Sequence, residues 1–509
     1  MAILDTGLDP RTPSYLDSRG LMLTAVAELD AAIVKAREGG GEKQVTRHHA
    51  RGKLLPRERI ELLLDRDTAF LELSTIAGFG TGHPVGAGVV TGIGVVEGTE
   101  CVIIASDPTV RGGAVNAYSL LKMERAAQIA ADNGLPLVSL IESDGLDPSG
   151  QAEALLPGGA VLGGQARLRG RGSPSICAIF GIATAAGMSL PALADQVILV
   201  RGQARVHLAG SHVVRAATGE VVDEEALGGA TLHATRTGLA DLLAEDERDA
   251  LRLVRHAVRR LRTPRTASPP GLVAPPKYDA DDLIAVAAAT SPARETLARI
   301  LDGSEFDEVA PLFGEGLVTG WGSVHGHPIG VIASDRPMLG VDEIAKALRF
   351  IEISAPVPLV LLVNSTGFAV GGDDESRGIA VSAARLVRAL ANTPAPLITI
   401  VTGSAHGPGG QALGGRGMNP RFLLSWPTAR ASALPPAQVL AIAEHRSLAD
   451  DGEPDHPVTA LRLEEESSAM RRSGLLADDG IIDPRDTRTV LGICLSSIHR
   501  GAASEGNRP

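Results

Sequence analysis

The sequence predicts an α/β protein built as two tandem copies of one fold. Three observations carry this. Short apolar runs ending in Gly-rich turns alternate with amphipathic stretches. Strings from the first half recur in the second at near-constant spacing. A Pro-rich segment lies between the two sets. Val90-Thr-Gly-Ile-Gly94 is echoed by Val318-Thr-Gly-Trp-Gly322, and Ala105-Ser-Asp107 by Ala333-Ser-Asp335, both 228 residues later. Residues 135–145 are echoed by 357–367, and residues 174–181 by 396–403, both 222 later. The change in spacing needs one net deletion of six residues. The predicted organisation is a first domain over 1–264, a Pro-rich linker over 265–282 and a second domain over 283–509, because such Pro density continues neither helix nor sheet.

Taken in order, residues 21–38 carry helical periodicity and a loop follows at Gly39-Gly-Gly41. Arg47-His-His-Ala-Arg-Gly-Lys53 is basic and reads either as a solvated face or as a contact for phosphates or a partner. Residues 56–64 resume as helix, with Pro56 at a first-turn position. Residues 90–107 read as a hairpin, 119–132 as an amphipathic helix, and 135–145 as a buried strand ending in a polar turn. Residues 175–180 read as a buried strand, 192–196 as helix and 197–200 as a strand. Residues 224–226 and 245–261 read as helix. Residues 173–194 form a long uncharged run, and their Pro and Gly residues favour a buried strand-turn-helix over a membrane span.

Composition narrows the function classes. The chain has 509 residues with 59 Gly and only 3% aromatics, so its cores rest on Ala, Val, Leu and Ile. A formal net charge of −12 without a long basic run argues against nucleic acid or an anionic membrane as the main partner. The amino terminus has no basic region followed by an apolar core, so a cytoplasmic location is expected. Cys101, Cys177 and Cys494 are too widely spaced for a zinc site and are expected to be buried thiols.

The chemistry is expected at strand-end turns: Arg111-Gly112-Gly113, Gly145, Ala185-Ala186-Gly187, Gly367 and Gly407-Pro408-Gly409-Gly410. Small residues there let a ligand approach backbone N–H groups. Two such turns could each hold one oxyanion. Neither Gly-x-Ser-x-Gly nor His-Glu-x-x-His occurs. His406 reads as catalytic or as a polar loop residue. Asp373-Asp-Glu375 reads as a metal ligand set or as a solvated acidic loop. Lys122 reads as a phosphate ligand or as an ordinary exposed helix residue.

Leu54-Leu-Pro-Arg-Glu-Arg-Ile-Glu-Leu-Leu-Leu-Asp65, Ile198-Leu-Val-Arg-Gly-Gln203, Ala216-Ala-Thr-Gly-Glu220, Glu225-Ala-Leu-Gly-Gly229, Asp302-Gly-Ser-Glu-Phe-Asp307, Leu317-Val-Thr-Gly320, Pro420-Arg-Phe422 and Asp479-Gly-Ile-Ile-Asp-Pro-Arg-Asp486 together resemble the carboxyltransferase (β) subunit of biotin-dependent acyl-CoA carboxylases. The similarity is greatest to the methylcrotonyl/geranyl branch, with propionyl-CoA carboxylase relatives further off. The resemblance implies two tandem crotonase (ClpP/crotonase-like) domains of ββα spiral units, usually in a ring of six β subunits. It implies acyl-CoA, bringing coenzyme A, mainly on the first domain. It implies carboxybiotin from a separate biotin-carrying α subunit mainly on the second domain of a neighbouring protomer. By position, the N–H groups of Ala186 and Gly187 would hold the enolate oxygen, and positions Pro408 and Gly409 the biotin oxygen. Arg111, Gly112, Gly113, Gly145, Gly367 and Gly407 would line the two ligands. No metal is implied.

The sequence departs from the family pattern at these turns. Ala185-Ala-Gly-Met188 replaces Ala-Gly-Gly-Ala, and Ser143-Asp-Gly145 replaces Ser-Gly-Gly. Gly407-Pro-Gly-Gly-Gln411 stands where Gly-Ala-Gly or Gly-Gly-Ala followed by Tyr is usual, and Pro408 has no N–H. Leu434-Pro-Pro436 replaces Met-Gly-Gly. Two alternatives stay open beside a carboxyltransferase: an impaired paralogue serving as a structural subunit of a mixed ring, and a biotin-independent crotonase-like acyl-CoA enzyme.

Overall fold

The computed structural model describes residues 2–184, 186–261, 273–449 and 460–505. Residues 262–272 of the Pro-rich segment lie outside the described residues. The chain divides into two compact units. The amino-terminal unit comprises residues 32–267, 474–476 and 497–509, and the carboxy-terminal unit comprises residues 1–31, 268–473 and 477–496.

In the amino-terminal unit, the sheet runs Leu71–Leu73, Val89–Val96, Thr99–Ser106, Leu137–Ser143, Ser175–Thr184, Gln196–Val200 and Leu242–Ala244, with Arg205–His207 paired to Ser175–Thr184. The first three strands are antiparallel and the rest parallel. Its core buries Ile103, Val138, Phe180, Ile198 and Val254. Helices join the parallel strands, as a parallel connection requires.

In the carboxy-terminal unit, the sheet runs Ala2–Ile3, Glu305–Glu308, Leu317–Val324, His327–Ser334, Leu359–Ser365, Leu397–Ala405 and Phe422–Ser425. It switches from antiparallel to parallel after His327–Ser334. Phe350, Leu361, Val401 and Leu423 lie in its core.

The repeat is therefore structural. Val90 pairs with Ala105 in one unit and Val318 with Ala333 in the other. Leu137 pairs with Ser175, and Leu359 with Leu397. Even an irregularity is repeated: register shifts between Ile141 and Ser143, and again between Val363 and Ser365. The fold is of α/β class, two tandem domains each built from ββα units.

Several elements differ from the sequence reading. The first helix spans Pro13–Arg37, and the basic stretch contributes a helix, Glu42–His49. A helix over Gln151–Leu168 was not expected, because Pro157 and two Gly pairs mask its periodicity. The three cysteines are buried and form no disulfide. Among the described residues, no helix is long and apolar enough to cross a membrane.

Candidate active site

In the amino-terminal unit, the strand Ser175–Thr184 feeds the helix Ala186–Leu193, which packs against Leu137–Ser143. Ala186 and Gly187 thus open a helix at a parallel strand end. Ala185 lies outside the described residues. The turn Arg111–Gly113 joins the neighbouring strand end: Asp144 N donates to Gly112 O at 3.2 Å, and Val115 N to Gly145 O at 2.8 Å. Arg111, Gly112, Gly113 and Gly145 are thereby brought together. Exposed Arg111 is held by Asp147 at 2.5 Å. Hydrogen bonds from Ser149, then the Arg111 charge, hold the Asp147 carboxyl down to about 2.

Lys122 corrects the sequence reading on both counts. It is neither exposed nor free to hold phosphate. Its side chain is buried, and Nζ donates to Val89 O at 2.6 Å. Burial lowers its pKa to about 8. The basic stretch also turns partly inward. His48 is buried against Leu54 O, and Lys53 Nζ donates to Glu142 and to Phe180 O. Glu142 also accepts from buried Arg59 at 2.7 Å.

In the carboxy-terminal unit, the strand Leu397–Ala405 feeds the short helix Gly407–Ala412. Gly407 has φ 57°, a conformation suited to glycine. Its N–H donates to Ser432 O at 2.9 Å, and Gly410 N–H donates to His406 O at 2.9 Å. Pro408 has no N–H and is exposed. Gly409 is buried, and its N–H has no partner among the described residues. A Cβ on Gly409 would sit 2.7 Å from Gly367 C and Phe368 N, so these backbones meet where no side chain fits. Gly367, Gly407, Pro408 and Gly409 therefore converge, with one unspent backbone donor.

His406 is buried rather than a polar loop residue, and its Nδ1 lies 2.8 Å from Ser432 Oγ. Ser432 spends its own proton on Leu434 O at 2.5 Å, so Nδ1–H must donate. Burial, with the Arg472 charge, lowers the imidazole pKa and so disfavours the charged ring. Asp373-Asp-Glu375 falls in a short helix, Gly372–Ser376.

The sequence reading missed His207. Its Nδ1 lies 3.2 Å from Thr184 Oγ1, at the strand end before Ala186, and its Nε2 lies 3.0 Å from Glu224. No spacing signalled it, because the three residues meet only through the fold.

Two sheets that share a hairpin followed by parallel strands, each with a small-residue turn at a parallel strand end, define a tandem crotonase-like protein. The carboxyl transferase domain family matches residues 47–508, so the chain belongs to that family. It is similar to the probable biotin-dependent acyl-coenzyme A carboxylase beta2 subunit of Mycobacterium tuberculosis, 44% identical with 98% of each chain covered. It is 36% identical to the probable mitochondrial methylcrotonoyl-CoA carboxylase beta chain of Drosophila melanogaster, covering 99% of this chain and 94% of that one. The crystal structure of the P. aeruginosa geranyl-CoA carboxylase beta subunit superimposes with a TM-score of 0.92 at 35% identity, covering 100% of this chain and 98% of that one.

Proposed function

We propose that this chain is the carboxyltransferase subunit of an acyl-CoA carboxylase, moving CO2 from carboxybiotin on a partner subunit to an acyl-CoA enolate. The observation that carries this is the convergence of Gly367, Gly407 and Gly409 around one buried, unspent N–H, in a chain from a family of carboxyltransferases. Carboxybiotin, when bound, supplies the activated CO2.

The rest falls to this chain. The Ala186 and Gly187 N–H groups hold the thioester oxygen as charge develops on it. Arg111, with Gly112, Gly113 and Gly145 beside it, faces the coenzyme A side. Gly409 N–H holds the biotin ureido oxygen, over a floor made by Gly367 and Gly407. Pro408 adds no donor, so the second hole works with one N–H where two are usual. The partner is a biotin carboxylase/biotin carrier α subunit, the assembly is a ring of six, and the setting is cytoplasmic. The missing donor favours a second reading, a structural paralogue within a mixed ring.

The test is incorporation of labelled bicarbonate into a panel of acyl-CoAs by the chain and a biotinylated partner. The same assay is run on Pro408→Ala. A restored donor raises the rate, by at most about 10²–10³-fold. No incorporation by the wild type, with a mixed ring formed beside an active paralogue, supports the structural reading instead.

A further inference from the structure

We infer that a cavity within the carboxy-terminal unit binds a small organic carboxylate, with Arg472 as the group that holds its charge. The cavity measures about 690 Å³, within the range of pockets that enclose small molecules. Val363, Val401 and Leu423 contribute apolar lining, and Arg416, Gln411 and Arg472 contribute polar lining. Gly407, Pro408 and Gly410 of the second turn border it.

Arg472 makes no side-chain hydrogen bond or ion pair among the described residues, and its Nη1 is buried without a partner. Arg416 is anchored to Asp479 at 3.0 Å through Nη2, but its Nη1 is also buried and unpartnered. Asp478 is the acid whose charge reaches Arg472. Its oxygens are taken by Ser425 Oγ at 2.7 Å and Gly480 N at 3.2 Å. Burial raises its pKa, which weakens it as a counter-ion.

Arg472 is part-buried, and a guanidinium nitrogen shut away from water without an acceptor is disfavoured unless an anion completes it. The planar fork of arginine matches a carboxylate. The apolar lining calls for a ligand with a hydrocarbon body, which inorganic phosphate lacks. This inference does not depend on carboxyltransfer, because binding is read without biotin, partner or acyl-CoA.

The experiment is calorimetric titration of the full-length protein with hexanoate, hexanamide and inorganic phosphate. Saturable hexanoate binding is expected, with hexanamide weaker by about tenfold or more. Arg472→Met should lose hexanoate binding by a similar factor while its thermal midpoint is unchanged or raised, since a part-buried cation without an ion-pair partner has gone. Ala477→Trp, which fills the cavity from another wall, should abolish binding and covers the case in which Arg472→Met does not fold. No saturable hexanoate binding to the folded wild type overturns the inference. So does equal binding of hexanamide, binding of phosphate in place of hexanoate, or unaltered hexanoate binding by Ala477→Trp.

Discussion

Lys122 Nζ donates to the Val89 carbonyl at 2.6 Å, and in the other unit Lys346 Nζ donates to the Leu317 carbonyl at 2.7 Å. Val89 and Leu317 open the equivalent strands of the two sheets. Each lysine lies buried on the helix after its hairpin. Each therefore ties that helix to the first strand of the hairpin before it, beside the parallel strands that carry the turns.

Lys122 gives a measurable pH signature. Its folded pKa is lowered to about 8 from an ordinary 10.5. Between those values the unfolded chain binds more protons, so stability rises with pH. Relative to Lys122→Met, the wild type should gain about 3 kcal/mol between pH 7 and 11. Urea denaturation across that range measures it, and parallel curves for the two proteins would refute it.

Glu142 shifts stability in the same direction, but in an acid window. Burial alone would raise its pKa, but Arg59 and Lys53 outweigh that and hold it below the usual carboxylate range. Its contribution is present above the unfolded pKa and is lost as pH falls through the folded one. Glu142→Gln should cost about 3 kcal/mol at neutral pH, with the difference from wild type shrinking in acid. Chemical denaturation at pH 7 and pH 3 checks both parts.

Gly181 should couple to Glu142. A Cβ on Gly181 would lie 2.6 Å from Glu142 Oε1 and displace the carboxylate from its partners. Gly181→Ala should therefore destabilise by about as much as Glu142→Gln, and the double variant should add little to either. A double-mutant cycle from thermal unfolding reads this directly; additive effects would contradict the shared cause.

Arg111 is the exposed cation of the first site. If it meets the coenzyme A side, Arg111→Ala should raise KM for acyl-CoA several-fold and leave kcat within about twofold, as expected for lost uniform binding. An unchanged KM in steady-state kinetics would remove Arg111 from the binding surface.

The repeat was legible in the sequence for a steric reason. A Cβ on Gly92 would lie 2.6 Å from Leu71 O, and one on Gly320 2.4 Å from Asp307 O. The sheet allows no side chain at either point, so the two Gly-bearing strings stay alike. Gly181 and Gly403 are restricted in the same way, by Glu142 and Asn364. The turns at Gly145, Gly367 and Gly407 could also be read, since each needs a positive φ. Lys122 could not be read, because a lysine on an amphipathic helix looks solvated until a strand carbonyl is placed above it. His207 and Arg472 stayed hidden for a related reason: their surroundings come from segments distant in the chain. Pro408 was visible at once, but only the hydrogen bonds of Gly407 and Gly410 reveal that, within this turn, Gly409 keeps an N–H without a partner among the described residues.

Carboxyltransfer through the turn that presents Gly409 is open to a direct test. Its most direct measurement is the rate of labelled bicarbonate incorporation into acyl-CoA by wild type and Gly409→Ala. Both are assayed with a biotin-carrying partner whose competence is verified separately. An active wild type is expected, with a loss of about 10²-fold or more in Gly409→Ala, because the added Cβ meets the Gly367 and Phe368 backbone and moves the unspent donor of that turn. Equal rates in the two proteins, or no incorporation by the wild type across the acyl-CoA panel, would contradict it.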